Sequence, residues 1–291
     1  MSTDRFDRQM RFFGMEGQKR LATARVAVIG LGGIGSHVVQ QLAHLGVGRL
    51  SLIDSEDLAE TDLNRLVGAR HDDPIPGTTK VGIASRSVAA INRAIEVQTI
   101  PDSLVSELAF SAITTADYVF GCVDSEGARL ILNEWCAAYA RPYFDLATDI
   151  LPGDPPSYGG RVCVAWNGQG CIACLEVLDV AEATEDLAGP RAKQERAALY
   201  GVKSEMLDRS GPSVVSLNGV VASVGVTEFT VAVTGLRPPN RLLNYHGSSG
   251  KVTVPQDPPR ADCYYCQGIR GRSDAADVKR YIREGVGSYL R

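Results

Sequence analysis

Residues 25–54 read RVAVIGLGGIGSHVVQQLAHLGVGRLSLID, and the fold follows from them. RVAVIG is apolar and β-branched and stops at a glycine, the pattern of a short buried strand. SHVVQQLAHLGVG spaces its apolar residues for a helix and ends at Gly46 and Gly48. RLSLID is a second strand, closing on Asp54. Between the first strand and the helix lies G-x-G-x-x-G. Gly30 permits the tight turn, Gly32 lets backbone approach a phosphate, and Gly35 lets the helix pack against the strand. The helix N-terminus offers free N–H groups and a positive dipole end to an anion. Asp54, nineteen residues after Gly35, sits where a carboxylate can accept hydrogen bonds from ribose hydroxyls. Strand, loop, helix and strand-end acid together indicate nucleotide binding.

The same alternation continues outward. A helix is expected over 79–94, strands at EVQTI and ADYVFGCVD, a helix through EGARLILNEWCAAYA and a strand at RPYFDLAT. Strands alternating with helices predict an α/β fold with a Rossmann-like, doubly wound, mostly parallel sheet. After about residue 150 the chain becomes loop-rich with short strands. Residues 178–210 are strongly charged and read as a mobile crossing segment with helical pieces. GPSVVSLNGVVASVGVTEFTVAVTG is a long apolar helix with Pro212 near its start, LLNYHGSSGKVTV is a hairpin turning at GSSG, and the last twenty residues are a polar tail. The expected division is residues 1–165 as the nucleotide-binding part and 166–291 as the crossing segment, long helix, metal site and tail of the same domain.

With 291 residues, 44% hydrophobic, and a formal net charge of −4, the composition is that of an ordinary globular chain and gives no reason to expect nucleic acid as a general partner. No run of apolar residues approaches the ~18 that span a bilayer, and the charged opening MSTDRFDRQMRFFGMEG lacks the apolar core of a signal peptide. No membrane association and a cytoplasmic location are the expectations. Of seven cysteines, four form two C-x-x-C pairs, Cys171–Cys174 and Cys263–Cys266. Four thiolates suit a closed tetrahedral Zn²⁺ site that clips the C-terminal part to the sheet. Cys122 and Cys136 sit in apolar patterns and read as small core residues. The four histidines, His37, His44, His71 and His246, form no cluster.

Which nucleotide binds turns on charge. A dinucleotide is served by the helix N-terminus, whereas a triphosphate with departing pyrophosphate asks for fixed cations and usually Mg²⁺. Arg65 in TDLNRLVGA, Lys80 in PGTTKVG and Asp124 in GCVDS lie at or near the carboxyl edge of the sheet, where ligands bind in open α/β folds.

The opening RFDRQMRFFGMEGQKRLATARVAVIGLGGIGS resembles that of the ThiF/MoeB/HesA family, bacterial relatives of ubiquitin-activating enzymes. The ordered set extends the resemblance from about residue 5 to 266: R-x-x-R-Q, glycine loop, an N-L-x-R-like segment, a lysine before a helix, a D-x-x-D-like strand end and two C-x-x-C pairs. It implies an adenylyltransferase acting with ATP, Mg²⁺ and Zn²⁺ on the C-terminal carboxylate of a ubiquitin-like protein with a glycine tail. Asp54 would hold the ribose, Gly33 would lie against the nucleotide, and Asp62 and Asn64 would border it. Arg65 and Lys80 would hold the triphosphate, and Asp124 would bind Mg²⁺. Arg8 would reach ATP from the other subunit of a homodimer. Two positions depart from the family: Asp62 stands where asparagine is usual, and Gly121 where the first acid of D-x-x-D is usual. No cysteine occurs between 175 and 262, where ubiquitin-activating relatives carry a thioester cysteine. Cys163 is the internal alternative; otherwise the acyl group would pass to a conjugating-enzyme or sulfur-donor partner. Three other readings stay open at this level: a tRNA-modifying dehydratase of the same family, which the acidic pI of about 5.7 disfavours; an NAD-dependent oxidoreductase; and an inactive module that binds a ubiquitin-like protein.

Overall fold

A computed structural model describes residues 3–189 and 211–288. One sheet of eight strands runs through it, in the order β3-β2-β1-β4-β5-β6-β7-β8. The first five strands are parallel: β1 (Arg25–Ile29), β2 (Arg49–Ile53), β3 (Glu96–Ile100), β4 (Tyr118–Gly121) and β5 (Tyr143–Leu151). β6 (Ser157–Ala165), β7 (Leu242–His246) and β8 (Lys251–Thr253) continue antiparallel. Strand order reverses between β1 and β4, which opens a crevice at their carboxyl ends.

Helices cover both faces. α1 (Asp7–Thr23), α2 (Gly33–Leu45), α3 (Lys80–Ile91) and α7 (Val215–Thr234) pack on one side around Val28, Phe120, Phe144 and Phe229. α4 (Glu107–Thr115), α5 (Glu126–Ala138), α6 (Val180–Leu187) and the short α8 (Arg280–Arg283) pack on the other around Ile29, Val119, Trp135 and Tyr143. Because side chains alternate along a strand, β1 sends Val26 and Val28 to one core and Ala27 and Ile29 to the other. The starts of α3, α4, α5 and α6 are fixed by Thr79, Ser106, Ser125 and Asp179, whose side chains accept hydrogen bonds from backbone N–H groups one turn on.

The α/β class, the parallel strands, the long helix and the GSSG hairpin agree with the sequence reading. Four features differ. α1 and α4 are additional helices. β5 runs on to Leu151 and pairs with a nine-residue β6, so the stretch read as loops with short strands extends the main sheet. Its glycines and prolines obscured the alternation. The charged stretch 178–210 contributes α6, while residues 190–210 lie outside the described ones. Finally, α7 is long and apolar enough to cross a membrane by length and composition, with a mean hydropathy of 1.4. That corrects the expectation that no run approaches such a length. Its buried face carries Asn218 and Glu228, the latter paired with Arg237 at 2.7 Å, and packs on α2 and β5 as a core helix.

Candidate active site

The glycine loop is held as the sequence pattern demands. Gly30 has φ of +81°, and a Cβ there would meet the Cys122 carbonyl oxygen at 2.6 Å. At Gly35 a Cβ would stand 1.9 Å from the Gly30 oxygen. Side chains at either position would drive β1, β4 and α2 apart. At Gly32 a Cβ meets nothing, which leaves open space beside the loop. Asp54 folds back over it: one oxygen accepts from the Leu31 N–H at 2.6 Å, the other from the Glu56 N–H at 2.8 Å. Burial raises its pKa, against the opposing pull of those two amides and of Lys80.

From Asp54 the chain turns through a 3₁₀ segment (Glu60–Asp62) toward α3. Asp62, only 3% exposed, does not face open space. Its carboxylate accepts from the Ala59 N–H at 3.1 Å and lies 2.8 Å from Arg65 Nη2 and 3.6 Å from Lys80 Nζ. Arg65 also donates to the Thr61 carbonyl. Lys80, first residue of α3 and 6% exposed, bonds Glu56 Oε2 at 2.5 Å. Burial lowers its pKa, but the Glu56 hydrogen bond and the charges of Asp54, Glu56 and Asp62 outweigh it and leave the pKa raised. The ammonium therefore stays charged at neutral pH. Asp62 holds both cations on one carboxylate, a few residues from Asp54. Asn64 is exposed on the same turn.

The other wall is the β4–α5 turn, which carries Asp124, exposed. Gly121 and Asp145 are register partners on β4 and β5. A Cβ at Gly121 would meet the Tyr143 hydroxyl at 2.5 Å, and that hydroxyl donates to Asp145 Oδ1 at 3.0 Å. Arg129 lies 3.9 Å from the same oxygen and donates to the Val123 carbonyl, fixing the turn. Where the sequence lacks an acid at 121, a buried acid on the neighbouring strand thus stands beside the vacated position. α6 closes over this turn: Asp186 accepts from the Ser125 hydroxyl at 2.8 Å and the Gly127 N–H at 3.0 Å.

Arg8 is exposed on α1, away from the contacts just described. Past the parallel strands, a groove of about 230 Å³ crosses β5, β6 and β7 beside Asp149, Gly160, Arg161 and His246. Arg161 is 3.7 Å from Glu126 at the start of α5, which links the groove to the Asp124 turn. Sequence reasoning missed Glu56, Asn218 and the Arg129–Asp145–Tyr143 group. Glu56 was signalled by its place two residues after Asp54, and Tyr143 by Gly121.

Cys171, Cys174, Cys263 and Cys266 converge, all buried, with their sulfurs within 4.8 Å of one another. The Cys171–Cys263 and Cys174–Cys266 sulfur distances are both 3.8 Å, and the Cys171 N–H points at Cys174 Sγ. Hydrogen bonds from Cys171 and Cys266 pull Cys174 toward the thiolate. Four soft ligands without a carboxylate or open position fit a structural Zn²⁺. Cys163 is fully buried in the core, and burial, with Asp145 nearby, pushes its thiol well up. It is not placed to act as a nucleophile. Cys122 and Cys136 are raised in the same way, burial dominating.

Residues 6–266 match the ThiF family profile. The adenylyltransferase and sulfurtransferase MOCS3 of Sus scrofa is 30% identical over 205 residues, covering 61% of this chain and 45% of that protein. The heterocyst HesA protein of Trichormus variabilis is 32% identical over 212 residues, covering 66% and 79%. The chain thus spans less than half the length of the MOCS3 relative. Escherichia coli MccB, crystallised with ATP, superposes with a TM-score of 0.68 at 21% identity, over 90% of this chain and 74% of that one, a likeness of fold.

Proposed function

Because the chain belongs to the ThiF family, we propose that it is an adenylyltransferase: it uses ATP to adenylate the C-terminal carboxylate of a ubiquitin-like protein with a glycine tail, releasing pyrophosphate. The observation that carries this reading is the pair of cations, Arg65 and Lys80, both held on Asp62 beside Asp54 at the crevice. A dinucleotide oxidoreductase would give them no shared purpose. A triphosphate gives them one, because pyrophosphate leaves only if its growing charge is neutralised. The attacking carboxylate is already ionised at pH 7, so positioning and charge neutralisation suffice and no general base is needed.

In this reading Asp54 holds the ribose, Gly30, Gly32, Gly33 and Gly35 cradle phosphate, and Asp62 and Asn64 border the nucleotide. Arg65 and Lys80 grip the triphosphate, and the exposed Asp124 holds Mg²⁺, which when bound would neutralise phosphate charge. The groove beside Arg161 and His246 receives the partner's extended tail. Residues 1–165 supply the nucleotide half of the domain and 166–291 its closing half. With Cys163 buried, the chain stops at the acyl-adenylate and hands it to a conjugating enzyme or sulfur donor. The MOCS3 relative, an adenylyltransferase and sulfurtransferase by name, supports this two-step division of labour.

ATP–pyrophosphate exchange, measured with and without candidate ubiquitin-like proteins ending in Gly-Gly, tests the reading, with NAD⁺ binding run alongside. Exchange should appear with one partner and vanish in Asp124→Ala while zinc and fold persist. Tight NAD⁺ binding without exchange would overturn it. In a homodimer, Arg8 from one subunit would complete the other's site. Inactive Arg8→Ala and Asp124→Ala proteins would then regain exchange when mixed, because half the mixed dimers' sites are intact.

A further inference from the structure

The first turn of α2 already has a neighbour at its positive end. Asn218, near the start of α7, is buried, and its amide nitrogen lies against Gly33. A Cβ built on Gly33 would stand 2.1 Å from Asn218 Nδ2 and 3.5 Å from Arg65 Cδ. The amide is pinned from two sides: Oδ1 accepts from the Thr148 hydroxyl on β5 at 3.1 Å, and Nδ2 donates to the Ser213 hydroxyl at 3.0 Å. Glycine loop, β5 and the approach to α7 therefore meet at one side chain.

The identity of that side chain is informative. Thr148 and Ser213 are hydroxyls and can donate as readily to a carboxylate as to an amide. An aspartate of the same shape would keep both bonds, and the positive end of α2, where negative side chains are favoured, would offset part of the cost of burying its charge. Packing and hydrogen bonding alone would therefore accept aspartate as well as asparagine. Asp54 already accepts from the Leu31 N–H; an amide at 218 adds no second negative charge and leaves the first turn of α2 without a side-chain cap, which is what a phosphate needs. We infer that Asn218 is a positioning residue of the nucleotide site, which fixes Gly33 and the Arg65 stem by neutral hydrogen bonds while keeping the α2 N-terminus free for a phosphate. The inference rests on the nucleotide reading of the loop, but not on which reaction follows.

The test compares Asn218→Asp and Asn218→Ala with the unaltered full-length protein, by calorimetric binding of ATP and of adenosine without any partner and by urea unfolding. The expected pattern is selective. Asn218→Asp unfolds at lower urea because its new carboxylate is buried, loses about tenfold or more in ATP affinity through charge repulsion at the helix end, and binds adenosine unchanged. Asn218→Ala unfolds at lower urea yet loses less ATP affinity. The inference is overturned if Asn218→Asp binds ATP within threefold of the unaltered protein, if adenosine and ATP weaken together, or if the alanine variant is the weaker ATP binder. An unaltered protein that binds ATP but shows no pyrophosphate exchange would count against adenylation and leave this inference standing. Binding of neither ATP nor NAD⁺ would remove both.

Discussion

Replacing Asp62 with asparagine tests the charge arrangement at its centre. The carboxylate lies 2.8 Å from Arg65 and 3.6 Å from Lys80. At an effective dielectric of about 20 these separations correspond to gross attractions of ~6 and ~5 kcal/mol. Burying the carboxylate offsets several kcal/mol of that. Breaking a buried pair by removing one partner costs ~3–5 kcal/mol when the other ion is stranded. Neither cation is stranded here: Lys80 keeps Glu56 at 2.5 Å, and the Arg65 side chain is 22% exposed. Asparagine can still accept from the Ala59 N–H. The expected loss for Asp62→Asn is therefore ~2 kcal/mol, below the stranded-ion range, read as a lower urea midpoint at constant m-value. ATP affinity should rise at the same time, because one negative charge leaves the vicinity of the phosphates and both cations turn toward them. The opposite pair of results, unchanged stability with ATP affinity down tenfold or more, would mean that Asp62 touches the nucleotide or its metal and that its ion pairs are incidental.

Three further outcomes are expected. Stripping zinc with a chelator, or changing Cys171 to serine, should lower Tm by several degrees, since even domains of about 150–250 residues shift ~2–4 °C per kcal/mol lost; an unchanged Tm would deny the cluster a structural metal. Gly33→Ala should weaken ATP binding and cost ~1–3 kcal/mol of stability through its clash with the Asn218 amide, and a stable, fully binding variant would show that the loop is more open than described. Asp73, hydrogen-bonded to Arg86, is held down to about 2, below its ordinary 3.8. A depressed carboxyl stabilises the fold above its unfolded pKa and loses that contribution as pH falls through the folded one. Asp73→Asn should accordingly cost ~1 kcal/mol at pH 7, solvent screening reducing what the shift alone would give, with the deficit shrinking between about pH 4 and pH 2; a deficit constant with pH would assign the loss to packing.

The nucleotide half was legible because its signals are local. Gly30 and Gly35 are forced by contacts within one strand–turn–helix, and the alternation of RVAVIG and RLSLID follows from burial on both faces of a parallel sheet. What escaped the sequence depends on which side chains the fold brings together. Asp62 stands in the sequence as a departure from asparagine, and only the fold brings Lys80 to within 3.6 Å of it; Gly121 stands as a missing acid, and only the pairing of β4 with β5 sets Tyr143 and Asp145 beside it. Asn218, 185 positions after Gly33 (218 − 33), carries no local mark at all. β6 was hidden for a different reason: Gly159 and Gly160 break its alternation, yet both are needed there, since a Cβ at either would strike the neighbouring strand's backbone oxygen at 2.1 or 2.5 Å.

The four-cysteine cluster ties residues 171–174 to residues 263–266, while β6 pairs with β7 and α7 packs on α2. The two sides of the chain around residues 190–210 are thus joined by a clasp, a strand pairing and a helix contact, none of which needs the intervening peptide bonds. A gene split within that interval would yield two polypeptides that find each other and reassemble one sheet. The reassembled pair would part on loss of zinc well before the intact chain unfolds, so the metal would hold the halves in register as well as stabilising them.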